Sequence, residues 1–208
     1  MKHTIYFNAA QNMSQLGDST VDIVVTSPPY PMIEMWDEIM GNQNPEIKTA
    51  FEENNPRQAF ELMHKELDKV WKECWRVLKE GSFLCINIGD ATRTIGGEFA
   101  LYNNNTRIIQ ACESLGFTNL PNILWKKATN APNKFMGSGM LPCGAYVTLE
   151  HEWILIFRKG SKRAYKKASE KDARRESSFF WEERNIWFSE IWEIKGVKQV
   201  IDKAPSRE

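Results

Sequence analysis

Four consecutive residues, Ser27-Pro28-Pro29-Tyr30, are suited to hold a planar heterocycle that carries an amino group. Each proline fixes φ at about −65° and has no backbone N–H, so a turn made of prolines presents carbonyl oxygens without competing donors. The Ser27 hydroxyl adds another acceptor, and Tyr30 adds a flat ring. The residues therefore predict a site where an exocyclic NH₂ donates hydrogen bonds while its ring stacks. A simple turn after a strand is the alternative interpretation of Pro-Pro.

The elements around the tetrapeptide favour a binding site. It follows Val21–Thr26, an apolar run typical of a buried strand in a parallel sheet, and ligands in open α/β sheets bind at the carboxyl ends of such strands. Further along, helices and strands alternate, which predicts an α/β fold with a doubly wound sheet. Predicted helices are 58–79, ended by Gly81, and 104–115; predicted strands are 83–88, 120–127 and 147–157.

At the tetrapeptide the sequence resembles the amino-methylating DNA methyltransferases, whose fourth motif is Asp, Asn or Ser, then Pro-Pro and an aromatic residue. Ser27, with Thr26 before it and Tyr30 after it, is most similar to the cytosine-N4 branch. An acidic residue at position 27 would favour adenine-N6 methylation, which is the nearest alternative. Residues 71–81, 151–159 and 189–194 resemble the approach to the next strand, the eighth motif and the tenth motif.

The resemblance implies a Rossmann-like sheet, S-adenosylmethionine as methyl donor and double-stranded DNA as partner. Ser27, Pro28, Pro29 and Tyr30 would be the catalytic residues. The Ser27 hydroxyl and the Pro28 carbonyl would hold the NH₂ group with its lone pair toward the methyl group. The target base must be flipped out of the duplex to reach them and would stack on Tyr30.

The same resemblance suggests five residues that would contact the cofactor: Asn8, Ala9, Thr26, Ile191 and Trp192. Asn8-Ala9 stands where family members often carry Gly-Asp, and a plain strand exit is the competing interpretation. For Ile191 and Trp192 the competing interpretation is aromatic packing. His151-Glu152 is expected to cap a strand and is given no catalytic role.

Charge is uneven although the net charge is +0. Residues 158–175 carry many bases that face only Glu170 and Asp172, which predicts either a phosphate-contacting segment or a solvated loop. The expected DNA contacts are Lys162, Arg163, Lys166, Lys167, Arg174 and Arg175. The chain then divides into a catalytic part (1–158), a short basic and aromatic target-recognition segment (159–188) and a tenth-motif segment with a tail (189–208).

Family members bind most of the cofactor through an acidic-Pro-Phe motif and a Gly-rich turn, which residues 1–208 do not contain. By resemblance, the chain holds strands four to seven of a seven-stranded sheet. The strand Val21–Thr26 would then lie at an open edge, where unpaired backbone groups invite association. We therefore expect a second polypeptide or a longer chain to supply the cofactor-binding half, with self-association through this edge as a third alternative. A non-catalytic DNA-binding remnant or subunit of a split enzyme is the alternative of another class.

Composition is that of an ordinary globular protein. The 208 residues can form one sizeable domain, 42% of them are hydrophobic, and no apolar run is long enough to span a membrane. Four scattered cysteines favour free thiols in a reducing cytoplasm over disulfides. The scattered histidines predict no metal site.

Overall fold

A computed structural model describes residues 2–127, 136–137 and 140–195. Its helices are α1 (Asp37–Gln43), α2 (Glu46–Glu52), α3 (Pro56–Val77), α4 (Asn104–Ser114), α5 (Ala168–Glu176) and α6 (Trp181–Trp187). Its strands are β1 (Val21–Thr26), β2 (Leu78–Ile88), β3 (Ala91–Ile95), β4 (Glu98–Tyr102), β5 (Phe117–Asn119), β6 (Ile123–Lys126), β7 (Met136–Gly137), β8 (Ala145–Tyr146), β9 (His151–Lys159) and β10 (Ile191–Trp192). No helix in these ranges is long and apolar enough to cross a bilayer.

The main sheet has six strands, in the order β1-β2-β9-β6-β10, and β5 also pairs with β9. β1 runs parallel to β2, whereas β9 runs antiparallel to both β2 and β6. The predicted α/β class is therefore confirmed, and β1 has the predicted bounds. Among the described residues, β1 forms one edge of this sheet and β10 forms the other.

The long helix α3 starts where its sequence places a cap. Asn55 precedes the helix, and its side chain accepts a hydrogen bond of 3.2 Å from the backbone N–H of Gln58. Pro56 occupies the first helical position, where no backbone donor is needed. The helix therefore begins two residues before the predicted start at residue 58.

The prediction that Gly81 ends this helix is wrong, because α3 ends at Val77 and β2 begins at the next residue. Lys159, at the end of β9, donates hydrogen bonds from Nζ to the carbonyls of Trp75 and Leu78 at 2.5 and 2.7 Å. A lysine that satisfies the last carbonyls of a helix stabilises its end. Gly81 lies inside β2 with a φ of +74°, where the register against β1 shifts by a bulge.

Helices α3 and α4 cover one face of the sheet. Alternate residues of β2 and β9 are buried against them, namely Leu84, Ile86, Ile88, Leu155 and Phe157. The intervening residues of β2, including Phe83, point to the opposite face. Ile23 and Val25 of β1 pair with Phe83 and Cys85 and lie on that face as well. There Ile23, Val25 and Phe83 are 55%, 74% and 39% exposed. We call Ile23, Val25 and Phe83 the open face, and an exposed apolar surface of this kind is typical of an interaction site.

The hairpin β3–β4 follows β2 and was not among the predicted elements. The pair Gly96-Gly97 forms its turn, with φ values of +59° and +86°, and such a pair between alternating residues is a known hairpin signal. Arg93 on β3 binds both carboxylate oxygens of Asp37, at 2.9 and 2.6 Å. Its guanidinium also lies 4.6 Å from the centre of the Phe51 ring. These contacts hold the hairpin against α1 and α2.

A buried amide joins the loops that follow β1 and β2. Asn104 donates from Nδ2 to the carbonyls of Pro31 and Gly89, at 3.0 and 2.9 Å, and its Oδ1 lies 3.0 Å from His64 Nε2. Burial lowers the pKa of His64 to about 3, although the bond to Asn104 raises it. His64 is therefore neutral and can donate to Asn104, which in turn fixes the separation of the two loops.

We expect Asn104→Ala to lower the free energy of unfolding by about 2–3 kcal/mol, because it leaves two buried carbonyls without a donor. Asn103→Ala is the matched control: Asn103 is exposed and its side chain makes no capping bond to α4, so the loss should stay below about 0.5 kcal/mol. Urea unfolding of both variants checks the difference. Equal losses would contradict the bridging role of Asn104.

Candidate functional site

The turn after β1 is anchored through the hydroxyl of Tyr30. This hydroxyl lies 3.3 Å from Ser27 Oγ and donates to Glu152 Oε2 at 3.0 Å. Asn87 donates from Nδ2 to the Tyr30 hydroxyl at 2.5 Å and to Glu152 Oε2 at 2.6 Å. Because Asn87 belongs to β2 and Glu152 to β9, two neighbouring strands and the turn after β1 contribute to one hydrogen-bond network.

Lys127 completes the network on the far side of Glu152. Its ammonium pairs with Glu152 Oε1 and lies 4.5 Å from the centre of the Trp125 ring. Burial raises the pKa of Glu152, but Lys127 and the hydrogen bonds from Asn87 and Tyr30 outweigh it, so the net shift is downward. Glu152 is therefore a carboxylate that only accepts hydrogen bonds.

Tyr30 stays protonated. Burial raises the pKa of its phenol to about 12, and the neighbouring carboxylate of Glu152 also raises it, while the contact with Ser27 acts in the opposite direction. A phenol with this pKa is no general base near neutral pH. Its ring and its hydrogen bonds are what it can contribute.

Close packing fixes the Tyr30 ring as well. A methyl group at Gly89 would lie 3.1 Å from Tyr30 Cε2 and 3.4 Å from Glu152 Cγ, so the ring packs on this glycine. Ser27 is exposed, whereas Pro28 is buried. The Ser27 hydroxyl is therefore accessible to a ligand.

The predicted cofactor contacts before and at β1 lie in two places. Thr26 ends β1 and directly precedes Ser27. Asn8 and Ala9 are exposed in a turn: the Asn8 side chain donates to the Asn12 carbonyl at 2.9 Å, and the Asn12 N–H donates to the Ala9 carbonyl at 3.1 Å. Of these residues, only Thr26 adjoins the Ser27 turn along the chain.

Ile191 and Trp192 form β10 and pair with Leu124 and Trp125 of β6. β2, β9 and β6 separate β10 from β1 in the sheet. Within the described residues, the structure thus does not bring Ile191 and Trp192 to the Ser27 turn. Residues 196–208 of the predicted tail lie outside the described ranges.

The predicted DNA contacts all lie on the surface: Lys162, Arg163, Lys166, Lys167, Arg174 and Arg175 are exposed. Arg174 and Arg175 belong to α5, and the other four precede it. Arg163 Nη1 lies 3.6 Å from Asp22 on β1, so the basic segment approaches the edge strand. Arg174 lies over the Tyr165 ring at 5.1 Å. The aromatic side chains around α6 are also exposed, by 52–76%: Phe179, Phe180, Trp181, Trp187 and Phe188.

Asn87, Lys127 and Glu152 belong to the site but are not among the residues predicted from the sequence. Glu152 stands at the start of β9, as expected, but its side chain enters the site rather than only capping a strand. The available signal was an acid at the start of an apolar strand. That signal could not identify its partners, because Asn87 and Lys127 are close to Glu152 only through the pairing of β2, β9 and β6.

The titratable groups at the Ser27 turn are Tyr30, Glu152 and Lys127, and they bind one another. Across the ranges that the structure describes, no group of three or more His, Cys, Asp and Glu side chains is placed to hold a metal ion. What the turn offers a ligand is therefore hydrogen bonding and an aromatic surface.

Comparison with known proteins points to DNA modification. A family model for N6/N4 DNA methylases matches residues 21–205. The Type II methyltransferase M.MthZI of Methanothermobacter thermautotrophicus is 51% identical over 202 residues, which cover 96% of this chain and 57% of that protein. M.MjaI of Methanocaldococcus jannaschii is 49% identical over 216 residues, covering 99% of this chain and 71% of that protein. The chain thus spans little more than half the length of M.MthZI.

Solved structures of TTHA0409, a candidate DNA modification methylase from Thermus thermophilus, share the fold. One is 28% identical with a TM-score of 0.64, covering 90% of this chain and 65% of that one. Another, complexed with S-adenosyl-L-methionine, is 28% identical with a TM-score of 0.63, covering 88% of this chain and 65% of that one. The Rossmann-like sheet implied by the sequence is therefore confirmed.

The Tyr30 network predicts an unusual ultraviolet titration. The difference between the wild-type titration and that of Tyr30→Phe should show one phenol with a pKa of about 12 instead of the ordinary value of 10.0. Glu152→Gln should move this step to lower pH, because it removes a negative charge beside the phenol. A step close to pH 10 in the wild type would contradict the burial of this hydroxyl.

The same shift has a consequence for stability. Because the pKa of Tyr30 is raised in the folded state, its contribution is fully present below pH 10 and is lost as the pH rises from about 10 to about 12. Thermal unfolding across this window should therefore show a steeper loss of stability for the wild type than for Tyr30→Phe. If stability fell equally with pH in the wild type and in Tyr30→Phe, the raised pKa of Tyr30 would be contradicted.

Proposed function

We propose that this chain, which belongs to the N6/N4 DNA methylase family, methylates the exocyclic N4 of cytosine in double-stranded DNA. S-adenosylmethionine, when bound, supplies the methyl group. The observation that carries the proposal is the rigid turn after β1, which offers the exposed Ser27 hydroxyl while the Tyr30 hydroxyl is bound from behind.

The chemistry of this turn suits an amino group. The nitrogen of a cytosine NH₂ is a poor nucleophile, because its lone pair is delocalised into the ring. Hydrogen bonds from this NH₂ to Ser27 Oγ and the Pro28 carbonyl hold the nitrogen pyramidal and localise the lone pair for attack. Once the N–CH₃ bond forms, the nitrogen loses one of its two protons to solvent. This is catalysis by positioning and electrostatics, with no covalent bond to the protein.

The Tyr30 ring supports a flipped base. The ring is half-buried and packs on Gly89, which leaves part of its surface for stacking. Stacking of a base on an aromatic ring contributes about 1–3 kcal/mol, which offsets part of the cost of flipping. The exposed basic residues around α5 are proposed to contact the phosphates of the same duplex.

Ser27 is also the residue that favours cytosine over adenine. By resemblance, an acid at this position belongs with adenine-N6 methylation, and Ser27 is a neutral hydroxyl. The carboxylate of Glu152 lies behind Tyr30, with its oxygens bound by Tyr30, Asn87 and Lys127. The Glu152 carboxylate therefore cannot take the place of an acidic side chain at position 27 and bind the amino group of the base.

The remaining part of the cofactor site is proposed to come from a further segment, on the same or another polypeptide. Of the predicted cofactor contacts, only Thr26 adjoins Ser27 in the described ranges. Within the described ranges, β1 is an edge strand that pairs only with β2. Ile23 and Val25 on its open face are 55% and 74% exposed. A strand paired with β1 and a helix on the open face would cover both surfaces.

Ser27→Ala should lower the rate of methyl transfer to duplex DNA by roughly 100-fold, since one hydrogen bond that localises the lone pair is lost. Transfer is measured with labelled cofactor in the protein together with its cofactor-binding segment. Ser14→Ala, in an exposed loop, is the matched control and should keep the wild-type rate. An unchanged rate in Ser27→Ala would overturn the assignment.

A second test concerns the open face. Calorimetry should detect no tight binding of S-adenosylmethionine to the 208-residue chain alone, and tight binding after the cofactor-binding segment is added. Val25→Lys should weaken association with that segment by at least about tenfold, because it places a charge in an apolar contact. Glu113→Lys, at an exposed position on α4, should not. Tight cofactor binding by the chain alone contradicts the proposal.

A further inference from the structure

The contacts behind Ser27 determine which way its hydroxyl proton points. We infer that Glu152, acting through Tyr30, is a positioning residue that makes Ser27 a hydrogen-bond acceptor toward the base. The inference rests on the proposed function, because it concerns the hydroxyl that would hold the amino group. Glu152 itself touches no base in this account.

The Tyr30 hydroxyl has a single proton, and its partners determine where that proton points. A phenol oxygen has one proton and two lone pairs. Asn87 Nδ2, at 2.5 Å, occupies one lone pair as a donor. Glu152 is a carboxylate without a proton, so the phenol proton goes to its Oε2 at 3.0 Å.

These two bonds decide which hydroxyl donates in the contact between Ser27 and Tyr30. Their oxygens are 3.3 Å apart, and geometry alone allows either to be the donor. Because the phenol proton is already committed to Glu152, Ser27 must donate to the second lone pair of Tyr30. Ser27 therefore keeps only lone pairs for a ligand, which is the state that accepts an N–H from a cytosine NH₂.

Two features keep this direction from reversing. Asn87 Nδ2 faces Glu152 Oε2 at 2.6 Å, and a flipped amide would place Asn87 Oδ1 against that carboxylate. The orientation has a visible cost, since Asn87 Oδ1 is buried without a hydrogen-bond partner. Lys127 pairs with the other oxygen of Glu152, which keeps the group charged and unable to donate to Tyr30.

Glu152→Gln keeps the size of the side chain but allows the reverse direction. Its NH₂ group can donate to Tyr30 when the Asn87 amide, now 2.6 Å away through Nδ2, turns over to present Oδ1. Tyr30 can then donate to Ser27, and the Ser27 proton points toward the base. Two donors would face each other at the amino group. We expect kcat to fall by roughly 10- to 100-fold, with the KM for DNA changed by less than about threefold, because the affected bond matters in the transition state.

A double-mutant cycle tests whether Glu152 acts through Tyr30. The variants are Glu152→Gln, Tyr30→Phe and the two combined, and Glu150→Gln, exposed two residues earlier, is the control for loss of charge. In the Tyr30→Phe background, Glu152→Gln should cause no further loss of kcat, and Glu150→Gln should keep the wild-type kcat. A wild-type kcat in Glu152→Gln, or fully additive losses in the double variant, would overturn the inference.

The network can also be tested without methyl transfer. In the chain itself, Glu152→Gln and Tyr30→Phe should each lower Tm by about 2–4 °C, and the double variant should lower it by little more than one of them. Additive shifts in Tm would overturn the network. If the wild type transfers no methyl group, the proposed function fails, while this cycle still decides whether Glu152 and Tyr30 are coupled.

Discussion

The Tyr30 hydroxyl is a polar group held inside the fold, and the arrangement of the site depends on satisfying it. Its partners come from the ends of three strands: Asn87 from β2, Glu152 from β9 and Ser27 just after β1. If the sheet order changed, this hydroxyl would lose at least one partner and its burial would become costly. The order β1-β2-β9 and the geometry of the turn therefore support each other. Rigidity matters here, because positioning of an amino group requires accuracy of well under 1 Å.

The two faces of the sheet that carries this site differ: helices cover one face, and the other is exposed to solvent. Helices α3 and α4 bury one face of the sheet. At the start of α4, Asn104 donates hydrogen bonds to the loops after β1 and β2. On the other side, Ile23 and Val25 are exposed. Stability thus comes from the covered face, while the open face is free for the segment proposed to complete the cofactor site. Through Arg163 and Asp22, the basic segment reaches the same edge strand near its amino-terminal end, whereas Ser27 follows the carboxyl end of that strand.

Local sequence was sufficient for β1, for α4 and for the position of the Ser27 turn, because apolar periodicity and turn residues act over a few positions. It was not sufficient for the end of α3, which depends on Lys159 from a distant strand. Glu152 shows the same limit at the site. Nothing near position 152 indicates a tyrosine 122 residues away, so strand pairing had to be known first. The same holds for the position of Ile191 and Trp192: only their pairing with β6 shows that they lie across the sheet from β1.

The proposed role of the Ser27 turn is to hold the amino group of cytosine. The most direct measurement is to incubate the protein and its cofactor-binding segment with labelled S-adenosylmethionine and duplex DNA, digest the DNA, and identify the labelled nucleoside by mass spectrometry. We expect N4-methylcytosine from the wild type and its loss in Ser27→Ala. N6-methyladenine as the only product would contradict the cytosine assignment, and a cytosine methylated on ring carbon would contradict the chemistry of the turn.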